Sequence, residues 1–134
     1  MHHPYAVQEY EPARYVCRPQ RAADARDAAD GFLAGLHPAL SAPAAQDLIL
    51  LVSELVTNAL RHAGEVTDLR LTADRHSIQV TVHDPSPAQP QDRSPDLTGR
   101  TGGFGWPMIC RLARTVIVRP LPGGGKAVHA TLPR

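Results

Sequence analysis

The chain has 134 residues, 43% apolar and 20% charged, with a formal net charge of +1. Such a length fits one domain with one core, and such a composition a soluble globular protein. So small a charge gives no electrostatic case for DNA, RNA or acidic membranes as partners. No apolar run approaches the ~20 residues a membrane span needs, and no signal peptide is evident, so the expected location is cytoplasmic. The seven histidines show no metal-ligand spacing beside cysteine. Cys17 and Cys110 form no CxxC and are expected to be reduced, buried thiols.

Residues 1–12 read as a loose lead-in, and Ala13 to Arg18 as a short strand. Pro19 suits a first helical position. Ala22, Ala25, Ala29, Phe32, Leu33 and Leu36 then give helical spacing over 20–36, weakened at Gly31. Residues 37–43 form a linker. A second helix starts at Ser41 or Ala42 and runs to Ala63, with Gly64 as its stop. Leu48, Leu51, Val52, Leu55, Val56, Ala59 and Leu60 form its apolar face. Two strands, 67–72 and 77–83, flank a hairpin-sized turn. The second alternates Ile78, Val80 and Val82 with Gln79, Thr81 and His83.

A segment rich in proline and glycine, about 85–103, has the character of a lid. Trp106 to Ala113 predicts a short helix, with Pro107 tolerated in its first turn. Strands over 115–119 and 126–132 close the chain around the turn Pro122 to Gly125. This order predicts one α+β domain over 13–134. It would be a two-layer sandwich of a mostly antiparallel mixed sheet with helices on one face.

Three features could carry chemistry. Glu54 and Asn58 lie four residues apart on the second helix, so their side chains share one face, with His62 a turn further on. They are either the solvated side of that helix or the rim of a cavity. Asp84 ends a strand. It is either a turn aspartate bonded to its own backbone or an acceptor for an exocyclic amine such as N6 of adenine. Gly102, Gly103 and Gly105, with Phe104 between them, precede a helix. They are either a hinge or a place where backbone amides and a helix N-terminus hold phosphates.

As an ordered set, these features resemble the GHKL superfamily of ATP-binding domains (the Bergerat-type fold), shared by gyrase, a heat-shock chaperone, histidine kinases and mismatch-repair ATPases. Residues 53–62, Ser-Glu-Leu-Val-Thr-Asn-Ala-Leu-Arg-His, and the ending around Pro122-Gly123-Gly124-Gly125-Lys126 are most similar to small bacterial anti-sigma-factor serine/threonine kinases. The resemblance implies ATP and Mg²⁺ as ligands, with Asn58 coordinating Mg²⁺ on the phosphates and Glu54 as general base. It implies Asp84 and Ser86 near the adenine, Gly102, Gly103, Phe104 and Gly105 as the phosphate loop, and His62 near phosphate. Thr131 would lie close to the adenine. It further implies a sigma factor and an anti-sigma-factor antagonist as partners, and a homodimer. Two departures stand out. Asp84-Pro85-Ser86 replaces the family's Asp-x-Gly, and Trp106-Pro107 follows Gly105 where Leu or Ile is usual. They would reshape the base pocket and could leave a nucleotide-gated binding module in place of a kinase.

Overall fold

The computed structural model describes residues 13–88 and 105–134. In chain order these form β1 (Ala13–Cys17), α1 (Ala22–Ala34), α2 (Ala42–Ala63), β2 (Asp68–Ala73), β3 (Ser77–Asp84), α3 (Gly105–Leu112), β4 (Thr115–Pro120) and β5 (Lys126–Pro133). The strands make one five-stranded sheet in the order β1-β2-β3-β5-β4. Every pairing is antiparallel. The lead-in 1–12 and most of the expected lid, 89–104, lie outside the described residues.

α2 begins where its sequence says it should. The Ser41 hydroxyl accepts the Ala44 N–H at 3.3 Å, and Pro43 sits in the first turn where no donor is needed. Gly64 ends the helix at φ 81, a left-handed conformation that favours glycine. α1 differs from expectation. It starts at Ala22, because the Asp24 carboxylate accepts the Gln20 and Arg21 N–H groups at 3.0 Å each and so caps the helix there. These bonds also lower the Asp24 pKa. Pro19 therefore precedes the helix.

Leu48, Leu51, Val52, Leu55 and Val56 of α2 and Ala25, Ala29 and Phe32 of α1 pack with Leu69, Leu71, Ile78, Val80 and Val82 in one buried cluster. Alternation along β3 sends Ile78, Val80, Val82 and Asp84 to the helix side. Thr81 and His83 lie on the other face. There the Thr81 hydroxyl meets His129 Nδ1 at 2.9 Å, and His83 Nδ1 meets Asp68 Oδ1 at 2.6 Å. The turn joining β2 to β3 is set by Asp74, whose Oδ1 accepts the His76 and Ser77 N–H groups at 2.8 Å. Arg134 ties the end of the chain down, donating to Asp74 O and His37 O at 2.8 Å each. Cys17 is half-buried, with burial pushing its thiol pKa up. Cys110 is exposed, a correction to the expectation that both thiols are buried. It falls on the solvent side of α3, whose inward residue is Ile109.

Candidate functional site

Topology brings the last turns of α2 and Asp84 of β3 to one end of the sheet. α2 runs out towards Gly64, and β2 starts at Asp68, directly opposite His83. The Thr67 N–H donates to His83 O at 2.7 Å. The last turns of α2 therefore lie at the same end as Asp84, on the face of the sheet that Asp84 itself takes.

Glu54 and Asn58 are half-buried on α2, flanking the fully buried Leu55 and Ala59. The α2 segment thus sets them at the core's margin, between the two readings its sequence left open. Glu54 faces α3: a Cβ built on Gly105 would sit 3.3 Å from Glu54 Oε2. A Cβ there would be a tight contact that the carboxylate, at the end of a flexible side chain, relieves by moving a few tenths of an ångström. Its negative charge there complements the helix dipole. Trp106 is partly buried and packs against the core cluster, which anchors the start of α3. Gly102, Gly103 and Phe104 lie outside the described residues. His62 and Arg61 are on the exposed last turn of α2.

Asp84 is both the turn aspartate and something more. Its Oδ1 accepts the Ser86 N–H at 2.9 Å, the local turn bond. The same oxygen accepts from Lys126 Nζ at 3.0 Å, and the two side chains are 1% and 3% exposed. Lys126 also donates to Ser86 O at 3.3 Å. Asp84 and Lys126 are direct partners in the β3–β5 ladder. Burying either charge alone would be costly, and the pairing is what makes the buried site tolerable.

Lys126 is the residue that sequence reasoning missed. The signal was present: Lys126, Val128, Ala130 and Leu132 share one face of β5, and the other three are core residues. A lysine on such a stripe needs a buried counter-charge.

Thr131 does not join the group. It pairs with Gln79, five residues along β5 from Lys126, roughly 17 Å at ~3.4 Å per residue. The odd register also puts it on the sheet face away from the helices. Thr131 is therefore set apart from Asp84 along the sheet.

Clefts of about 250 Å³ beside Tyr15 and Phe32, and of about 330 Å³ beside Leu60 and Gly64, open elsewhere. Neither is lined by Glu54, Asn58 or Asp84. Among the described residues no group of three or more His, Cys, Asp or Glu side chains could hold a metal ion. No helix among them is long and apolar enough to cross a membrane.

An antiparallel sheet layered by α1, α2 and α3, with a carboxylate and a carboxamide one turn apart on the central helix and an aspartate at the strand end beneath it, defines an α+β domain of the GHKL ATPase fold. The pattern of the histidine kinase-like ATPase domain matches residues 16–132, and the chain belongs to that family. Membership implies an ATP-binding domain. No curated protein matches the chain.

Proposed function

We propose that the chain is an ATP-binding regulator of the anti-sigma-factor type: a serine/threonine kinase that phosphorylates an antagonist protein and sequesters a sigma factor. The observation that carries this reading is Glu54. Its carboxylate lies beside Gly105 at the start of α3, one helical turn from Asn58. Kinase chemistry of this kind needs a base at the edge of a phosphate site, within reach of an incoming hydroxyl.

The residues suit Mg²⁺-ATP. A neutral amide oxygen such as that of Asn58 is a modest ligand, suited to a cation whose other donors are phosphate oxygens and water. When bound, the ion neutralises charge on the phosphates. Asp84 offers its second carboxylate oxygen, Oδ2, to an exocyclic amine, since both hydrogen bonds above fall on Oδ1. In the transfer step Glu54 takes the proton of the acceptor serine as its oxygen forms a bond to the γ-phosphorus. The bond from that phosphorus to the β–γ bridging oxygen breaks, and ADP leaves. The partners, a cytoplasmic location and a homodimer belong to the same proposal and rest on the resemblance of residues 53–62.

A second reading has its own observation. Lys126 and the Ser86 N–H already engage Asp84, and Pro85 holds the following turn. A pocket set in this way suits nucleotide-gated binding without turnover. Incubation with Mg-ATP and candidate antagonist proteins separates the two. In the kinase reading, Glu54→Gln lowers phosphoryl transfer at least about 100-fold and changes the Kd for ATP only a few-fold. Transfer that survives Glu54→Gln removes the assigned base. Tight ATP binding with no transfer to any antagonist favours the binding module.

A further inference from the structure

Asp84 and Lys126 set an acceptor and a donor side by side where β3 ends and β5 begins, and that second group changes which bases a nucleotide site there can read. This inference rests on the nucleotide-binding reading above. A carboxylate alone accepts. It suits the amino group of adenine and repels the O6 carbonyl of guanine, because two acceptors would face each other. Here Lys126 Nζ stands 3.0 Å from Asp84 Oδ1. Its other hydrogen bond, to Ser86 O, is the longer one at 3.3 Å. An ammonium carries three N–H donors, so one remains beyond these two bonds. Asp84 Oδ2 lies outside both bonds.

We propose that Lys126 is a base-specificity residue and that the site takes guanine as well as adenine nucleotides. With adenine, Asp84 accepts from N6 and Lys126 donates to N1. With guanine the roles move along the same edge: Lys126 donates to O6, and Asp84 accepts from N1–H and the N2 amine. Lysine paired with guanine O6 is a common way of reading that base. A buried polar pair left without its complement strongly disfavours a ligand, so a donor matched to O6 removes the main objection to guanine. Lys126 also holds the Asp84–Ser86 turn. A purely structural role would weaken both nucleotides equally when the lysine is lost.

The test is calorimetric titration of the intact chain with Mg-ATP and Mg-GTP, for wild type, Lys126→Met and Lys126→Gln. Wild type is expected to bind GTP within about tenfold of ATP. Lys126→Met, which has no donor, loses at least tenfold more affinity for GTP than for ATP. Lys126→Gln, which keeps an N–H donor, retains most of the GTP affinity. Wild type that binds ATP but binds GTP more than 100-fold weaker overturns the proposal, and that measurement stands even if Lys126→Met fails to fold. An unchanged GTP-to-ATP ratio in Lys126→Met also overturns it. If wild type binds neither nucleotide, the nucleotide-binding reading itself falls, and the ATP titration of wild type separates that result from failure of the specificity claim.

Discussion

Gly125 shows how tightly the corner around Asp84 and Lys126 is built. It adopts φ 81, and a Cβ there would run into the carbonyl oxygen of Asp84 and the backbone of Pro85. The turn before β5 is thus pressed against the residue that follows β3, and this contact sets Lys126 opposite Asp84. Gly125→Ala carries both a left-handed backbone penalty and an overlap with main chain, which cannot rotate away. It is expected to cost about 2–4 kcal/mol, read as a lower denaturant midpoint in urea. Gly123→Ala is the control: nothing lies within 4 Å of its Cβ and its φ is not positive. That change should stay within about 0.5 kcal/mol. At this scale the sequence was informative about residue types and silent about pairing. Asp84 could be read as a turn former or a pocket acceptor because either role needs only the local chain. The ion pair with Lys126 spans 42 residues, and a register between strands is not visible in a single sequence.

Elements were more legible, because their signals are local. The Ser41–Pro43 start and Gly64 stop of α2, the alternation of β3 and the glycine turn before β5 all lie where their spacing puts them. α1 was read two residues too early because Pro19 is a good first helical residue, whereas the Asp24 carboxylate caps the backbone further on. Alternation fixes which residues of a strand share a face but not the register between strands, and it is the register that sets Thr131 opposite Gln79 and Lys126 opposite Asp84.

The outer face of the sheet yields a pH prediction. The His129 pKa is lowered from 6.5, first by burial, then by the positive charges of Arg119 and His83. Across this face His129 meets Thr81, Arg119 flanks it on β4, and His83 pairs with Asp68. The folded state therefore binds fewer protons than the unfolded one just below the normal histidine pKa, so stability rises with pH through that window and falls on acidification below about 6.5. His129→Gln should flatten the slope of Tm against pH between about pH 5.5 and 7. An unchanged slope would place the titrating group elsewhere.

At the scale of the whole molecule, the helices among the described residues layer one face of the sheet, and Glu54, Asn58 and Asp84 lie on that covered side. Val16 and Ile117, each 47% exposed, are apolar residues on the bare side. The two-layer architecture follows from composition and order, since two long amphipathic helices and five short strands must bury one stripe each. Glu54 beside the start of α3, Asn58 one turn further along α2 and Asp84 at the end of β3 are the residues on which the proposed nucleotide site rests, and a ligand of the folded state must stabilise it. The most direct test is thermal unfolding of the purified chain with and without Mg-ATP. Nucleotide at about 100 times its Kd adds ~2.7 kcal/mol, a rise in Tm of several degrees for a domain of this size, and that rise should shrink in Asn58→Ala. A Tm unmoved by millimolar Mg-ATP, in a protein that unfolds cooperatively, would contradict the account.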